Sequence, residues 1–174
     1  MKSFSEEQKL GTLELLLIKP LSIWQLVLGK FFGALLLCIL ALLPTMLYVW
    51  TIGDLGMSTN NFDLGVVYGS YFGLLLLIGT YTSIGLFASV LTSNQIVAFL
   101  LALLCCFLFY FGLDALSTLM SNGDWQNSIQ SLGAKAHFKN MGRGILDIRE
   151  VFYFISITLF FLYMTAHRLN HSTK

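Results

Sequence analysis

The sequence FFGALLLCILALLPTMLYVWTI, residues 31–52, decides the fold because it holds no charged side chain. A helix rises about 1.5 Å per residue, so this run is long enough to cross a hydrocarbon core of about 30 Å. Three more apolar runs predict spans at about 65–91, 96–113 and 151–166. We therefore predict an all-α fold, a polytopic membrane helical bundle with four transmembrane helices.

The composition agrees with a membrane protein built as one domain over residues 1–174. Hydrophobic residues make up 56% of the chain and charged residues only 11%, whereas soluble domains carry about 25% charged residues. Lipid must therefore be the solvent for most of the surface. The net charge of +1 gives no electrostatic footprint for nucleic acid, which excludes that class of partner.

A charged segment precedes the first span, and its periodicity predicts an amphipathic helix over residues 3–19. Its two opposite sides carry the leucines Leu10, Leu13 and Leu17 and the glutamates Glu6, Glu7 and Glu14. Ser3 followed by Glu6 is typical of a capping box at the start of this helix. Pro20 is expected to end it, and Ser22 to cap the helix that enters the membrane.

The connections between spans carry two further cap patterns and a charge asymmetry. Thr92 with Gln95 predicts the start of the third span, and Asp147 with Glu150 predicts the start of the fourth. Four spans place both termini on one side, which holds six Lys and Arg residues against four on the other. Because cytoplasmic loops are enriched in Lys and Arg, we expect both termini to be cytoplasmic.

Three glycines, Gly65, Gly69 and Gly73, recur at four-residue intervals in the second span. Small residues at this spacing form a flat strip on which another helix can approach closely. The strip is therefore predicted to be a helix-packing face. The alternative is a substrate path, lined by this backbone and by neighbouring hydroxyls.

Patterns for catalysis or cofactor binding are absent from the sequence. Gly29-Lys30 is not a phosphate-binding loop, because Trp24 occupies the position of the upstream glycine and Phe31 replaces Ser or Thr. His137, His167 and His171 show no metal-ligand spacing. We expect no cofactor, no metal site and no enzymatic activity in this chain, so any ATP hydrolysis would belong to another subunit.

The most specific feature is the opening EEQKLGTLELL at residues 6–16, followed by Pro20-Leu21-Ser22 and Leu28-Gly29-Lys30. This order resembles the cytoplasmic segment of ABC-2 type transporter permeases. Further stretches, at 61–63, 65–73, 91–99 and 144–150, resemble the gliding-motility-associated (GldF-like) branch of that family. Family permeases have six spans, with this segment between the second and third, so the chain is expected to lack the first two transmembrane helices.

The resemblance implies an exporter permease subunit in the bacterial cytoplasmic (inner) membrane. Its implied partners are an ATP-binding ABC subunit and a second permease subunit, in a homodimer or heterodimer. Residues 3–30 would form the cytoplasmic coupling segment. The implied ATPase-coupling residues within it are Glu6, Glu7, Gly11, Thr12, Leu13, Glu14 and Leu17. The alternative function is a non-transporting four-helix membrane scaffold or assembly factor, which would bind no ATPase at residues 3–22.

Overall fold

The computed structural model describes residues 2–12, 22–55, 63–119 and 131–172. These ranges contain helices and no strand, which confirms the all-α prediction. The helices are α1 (Lys2–Leu10), α2 (Ile23–Leu55), α3 (Leu64–Leu91), α4 (Gln95–Phe107), α5 (Leu113–Leu119), α6 (Ala134–Met141) and α7 (Ile148–Ser172). A π-helical turn at Leu108–Gly112 joins α4 directly to α5.

Four helices of the described chain are long and apolar enough to cross a membrane: α2, α3, the continuous helix Gln95–Thr118 and α7 as far as His171. The four-span prediction is thus confirmed. Each helix is longer than its apolar run, and α2 already begins at Ile23, ahead of the uncharged run that starts at residue 31. Helix α2 also continues through Pro44, as a span can when its surroundings satisfy the freed carbonyl.

Helix α3 lies at the centre of the bundle. In the most apolar part of α3, 56% of the residues are buried inside the protein. The corresponding fraction is 11% in α2 and 11% in the α4–α5 helix. Its buried face is rich in small residues, including Gly79, Ser83 and Ala88, which let neighbouring helices approach closely. The outward apolar side chains of α2 and α4, such as Leu37 and Phe99, are not covered by the rest of the described chain. They therefore require lipid or another apolar surface.

The bundle has two ends with different contents. The α1 end holds α1, the start of α2, the end of α3, the start of α4 and the end of α7. The α6 end holds α6, the start of α3, α5 and the start of α7. Each end has its own buried apolar cluster. The cluster at the α1 end consists of Phe4, Val27, Phe31, Leu86, Val90, Leu162, Ala166 and Leu169, and that at the α6 end of Leu77, Ala134, Met141 and Phe154.

Two helix starts follow the predicted caps. The backbone N–H of Gln25 donates to Ser22 Oγ at 3.3 Å, and the Ser22 N–H donates to Gln25 Oε1 at 3.0 Å. This reciprocal pair confirms Ser22 as the cap of α2. Asp147 Oδ1 accepts from the Arg149 N–H at 3.1 Å, so Asp147 caps α7.

Two other cap predictions are wrong. Helix α4 is capped by Asn94, whose Oδ1 accepts from the Ile96 N–H at 3.0 Å. The Thr92 hydroxyl instead accepts from the Asn94 N–H at 3.2 Å, because Thr92 lies in the loop that precedes the helix. The predicted Ser3 cap also fails, since α1 already begins at Lys2 and Ser3 lies inside it.

The prediction of one continuous helix over residues 3–19 is wrong as well. Helix α1 ends at Leu10, and Gly11 has a φ of +69°. A residue in this left-handed region ends a helix, and glycine reaches it without the steric penalty of a Cβ atom. Thr12 is helical again. Leu13, Glu14, Leu17 and Pro20 lie outside the described residues.

Candidate functional site

Helix α1 is anchored on the bundle by one aromatic side chain. Phe4 is completely buried and belongs to the same cluster as Val27 of α2, Val90 of α3 and Leu169 of α7. Burying a phenylalanine side chain contributes about 1.5–3 kcal/mol. Phe4 therefore places α1 in the same buried cluster as residues of three of the four spans.

A lysine from α2 reinforces this anchor. Lys30 Nζ lies 2.5 Å from Glu7 Oε2 and 4.1 Å from the centre of the Phe4 ring. Both side chains of the ion pair are mostly shielded, with 19% of Lys30 and 26% of Glu7 exposed. Shielding strengthens the attraction, and it makes loss of either partner costly because the charge that remains has lost its ion-pair partner in a poorly solvated place. Glu7 thus joins α1 to α2.

The third contact joins α1 to α3. Gln8 Nε2 donates to the Val90 carbonyl oxygen at 3.1 Å. Val90 lies in the last turn of α3, where backbone carbonyls have no partner within their own helix. Gln8 therefore supplies a hydrogen bond that the end of α3 requires.

The other implied coupling residues that the structure describes, Glu6, Gly11 and Thr12, are at least partly exposed. Glu6 and Thr12 are half-buried, and the Thr12 hydroxyl lies 3.5 Å from the Glu7 carbonyl oxygen across the Gly11 turn. Lys9 and Gly11 are exposed, as is Leu10, of which 68% is accessible. Lys9, Leu10 and Gly11 form what we call the outer face of α1. A Cβ atom at Gly11 would meet nothing within 4 Å, so this chain requires glycine there for its positive φ.

Helix α6 and the turn that follows it pack against Gly69 and Gly73 of the glycine strip. A Cβ atom on Gly69 would lie 3.0 Å from the Met141 carbonyl oxygen and 3.1 Å from Gly144 Cα. One on Gly73 would lie 2.9 Å from Met141 Cβ. Gly144 itself has a φ of +79°, and a Cβ atom there would lie 3.3 Å from Val66 Cα. The element packed on Gly69 and Gly73 is thus a short helix at the α6 end.

Gly65 has a different environment from the other two glycines. Its N–H donates to Asp63 Oδ1 at 2.8 Å, and this bond caps the start of α3. A Cβ atom on Gly65 would lie 3.1 Å from the same oxygen. Gly65 therefore contacts the helix cap, whereas Gly69 and Gly73 contact α6.

The two residues of the Asp147–Glu150 pattern have different partners. Asp147 caps α7, but the Glu150 carboxylate accepts from Asn140 Nδ2 at 2.8 Å and contacts the ring of His137. The prediction that Glu150 completes a capping box is wrong, because stronger donors from α6 take its oxygens. Within the described ranges, no three His, Cys, Asp or Glu residues are placed to hold a metal ion.

Sequence reasoning missed the partners of Phe4, Gln8 and Lys30, although one signal was available. A lysine at the start of a membrane span needs a counter-charge, and Glu7 lies three residues after Phe4 on the same side of α1. These positions link the Glu-Glu pair at 6–7 to the Gly-Lys pair at 29–30. The two motifs are separate in sequence and in contact in the fold.

Comparison with known protein families places most of the chain in one family model. A protein-family model described as "ABC-2 family transporter protein" matches residues 1–171. Searches of curated proteins and of solved structures give no match. The matched region includes α1, its contacts with α2 and α3, and all four candidate spans.

Proposed function

Because this chain belongs to the ABC-2 transporter family, we propose that it is a permease subunit in which α1 carries the motion of an ATP-binding subunit to the membrane spans. Family membership implies a multi-pass membrane component that associates with an ATP-binding ABC subunit. The part proposed here is the route of coupling. It runs from the outer face of α1, through Phe4, Glu7 and Gln8, to the spans.

The observation that carries this proposal is the attachment of α1 to three spans at once. Phe4 shares a buried cluster with residues of α2, α3 and α7, Glu7 pairs with Lys30 of α2, and Gln8 bonds the end of α3. A force on the outer face of α1 would therefore displace several spans together as a rigid-body shift. Such coupling requires that ATP favour one arrangement of the spans over the other.

The contact surface for the ATP-binding subunit is proposed to be the outer face of α1 and the residues after it. Leu10 is 68% exposed and offers an apolar contact beside the charge of Lys9. Leu13, Glu14 and Leu17 are proposed to extend this surface. Glu6, Gly11 and Thr12 would shape it, whereas Glu7 would act from within by holding α1 on α2.

The finer features of the proposal rest on the sequence resemblance and on the two ends of the bundle. ATP-binding subunits are cytoplasmic, so the α1 end and both termini are proposed to face the cytoplasm in the bacterial inner membrane. Export as the direction, a gliding-motility-associated role and a second permease subunit are proposed on the resemblance alone. The apolar surfaces of α2 and α4 would face lipid or that second subunit.

The test uses charge reversal of the Glu7–Lys30 pair in a variant whose native cysteines are replaced. A reporter cysteine at Ile145, at the α6 end, is labelled with an impermeant maleimide in the presence and absence of ATP and vanadate. With the original pair, nucleotide is expected to change the labelling rate. Glu7→Lys should abolish that change while the ATP-binding subunit still co-purifies, because the outer face is intact.

The matched control is the double variant Glu7→Lys with Lys30→Glu, which restores an ion pair with the same net charge. It should recover the nucleotide-dependent labelling at least in part. Loss of response in the single variant and an equal loss in the double variant would contradict coupling through this pair. If no ATP-binding subunit or ATP hydrolysis accompanies the purified chain, the scaffold function becomes the better explanation.

A further inference from the structure

The end of α6, the turn after it and the start of α7 carry three exposed basic side chains. These are Lys139, Arg143 and Arg149, and among the residues that the structure describes none of the three forms an ion pair. Residues 139–149, which we call the basic segment, contain one carboxylate besides, that of Asp147. The basic segment therefore has a net charge of +2.

The three cations are held around one residue, Asn140. The Arg143 N–H donates to the Asn140 carbonyl oxygen at 3.1 Å, and Asn140 Nδ2 donates to the Glu150 carboxylate at 2.8 Å. Lys139 precedes Asn140 in the chain, and Arg149 precedes Glu150. The folded chain thus gathers the charges of α6, of the turn and of α7 into one cluster.

Two spans place this cluster at the membrane surface. The uncharged stretch from Gln95 to Asp114 rises about 29 Å, and that from Glu150 to His167 rises about 26 Å, at about 1.5 Å per residue. Both lengths are close to the hydrocarbon thickness of about 30 Å. Asp114 and Glu150 therefore mark the boundary of the hydrocarbon core at the α6 end. The basic segment, which precedes Glu150, lies in the headgroup layer.

An exposed tryptophan of α2 lies at the same level. The Thr45 and Tyr71 hydroxyls are 2.9 Å apart, and this contact sets the antiparallel register of α2 and α3. Five residues further towards the α6 end, Trp50 lies level with Val66, the residue against which Gly144 packs. Trp50 is exposed, and tryptophan is enriched at the headgroup level of membranes. Its position supports the same depth for the basic segment.

Apolar side chains lie between the cations. Ile145, Leu146 and Ile148, in the stretch from Arg143 to Arg149, are each more than half exposed. Exposure of these side chains to water is unfavourable. At the membrane surface they can reach the acyl chains, while the longer basic side chains stay among the headgroups. A soluble anion would match the cations but would leave the three apolar side chains uncovered.

We propose that the basic segment is a binding surface for anionic phospholipids. Its three cations contact the headgroup phosphates, and its three exposed apolar side chains enter the boundary of the acyl chains. Each Lys or Arg near an anionic surface strengthens such an association by up to about fivefold. The bound lipid anchors α6 and the start of α7 to the membrane surface. This surface lies at the opposite end of the bundle from α1 and is independent of the coupling role proposed there.

Fluorescence quenching of the full chain in nanodiscs tests the proposal. A bimane label is attached to Ile145→Cys in a chain without native cysteines. The bilayer is phosphatidylcholine with a small fraction of spin-labelled phosphatidylglycerol or, in a parallel sample, of spin-labelled phosphatidylcholine. The measured quantity is the ratio of the association constants of the two quenchers. For the net charge of +2 we expect a ratio between about 5 and about 25 in favour of the anionic lipid.

Three variants make the assignment specific. Arg143→Gln with Arg149→Gln brings the net charge of the basic segment to zero, so the ratio should fall to about 1. Arg143→Lys with Arg149→Lys keeps both charges and should keep the ratio. Arg168→Gln removes an exposed arginine from the other end of α7 and should leave the ratio unchanged.

Inorganic phosphate separates a lipid surface from a site for a soluble anion. When phosphate replaces chloride at the same ionic strength, the ratio should not change. A loss of preference under that exchange would assign the basic segment to a soluble anion and overturn the proposal. Equal association of the two lipids with the original segment, a ratio that survives the glutamine pair, or one that is lost in the lysine pair would also overturn it.

Discussion

Replacing Gly69 by alanine tests the packing of α6 most sharply, because the new methyl group would meet backbone atoms. It would lie 3.0 Å from the Met141 carbonyl oxygen and 3.1 Å from Gly144 Cα. These atoms cannot move aside independently, since the Gly144 N–H donates to the same Met141 oxygen at 2.9 Å. Gly144 also has its φ fixed at +79°. The turn after α6 must therefore shift as a unit.

The size of the effect follows from two opposing contributions. Overpacking of this kind costs about 1–3 kcal/mol, whereas alanine gains up to about 1 kcal/mol over glycine inside a helix. Gly33→Ala on α2 provides the matched control, because a Cβ atom there meets nothing within 4 Å. Gly33→Ala should gain the same helix propensity as Gly69→Ala but should create no steric clash. The difference in unfolding free energy between the two variants should be about 1–3 kcal/mol.

Thermal denaturation in detergent, followed by the loss of the monodisperse size-exclusion peak, measures this difference. For a chain of this length, 1 kcal/mol shifts the Tm by about 2–4 °C. Gly69→Ala is therefore expected to melt about 2–12 °C below Gly33→Ala. Equal Tm values for the two variants would refute the packing of α6 on the glycine strip.

Three further predictions follow from the α1 end and the topology. Gln8→Ala should lower the unfolding free energy by about 0.5–1.5 kcal/mol, because it removes the bond to the Val90 carbonyl; unchanged denaturation would contradict that bond. Gly11→Ala should cost about 1–2 kcal/mol through its positive φ, measured against Gly33→Ala. A cysteine at Ile145 should react with an impermeant maleimide from outside intact cells, whereas one at Lys9 should not; the reverse pattern would invert the proposed orientation.

The membrane spans could be predicted because hydropathy and length act locally. Each apolar run must fold as a helix to satisfy its backbone in lipid, so four runs give four spans. The Ser22 cap was equally local, since it depends on a residue three positions away. At Thr92 the same rule failed, because the side chain of Asn94, which lies closer to the helix, accepts from the Ile96 N–H instead.

The contacts that build the candidate site depend on residues far apart in sequence. Nothing local in the sequence specifies that Glu7 meets Lys30, or that Gln8 meets Val90. The glycine strip predicted a close approach but not the identity of the approaching element, since small residues accommodate any backbone. The end of α1 at Gly11 was missed because the helical spacing of the leucines continues past it. One residue with a left-handed backbone, such as Gly11, does not change that spacing in the sequence.

The central claim, that α1 is the element that contacts the ATP-binding subunit, is tested most directly by crosslinking from its outer face. A cysteine at Leu10, in a chain without native cysteines, is modified with a photoreactive maleimide in the complex purified from native membranes. We expect an adduct with the ATP-binding subunit. A cysteine at Ile145, which is also exposed but lies at the α6 end, should give none. An adduct from Ile145, or no adduct from Leu10 in a complex that hydrolyses ATP, would contradict the assignment.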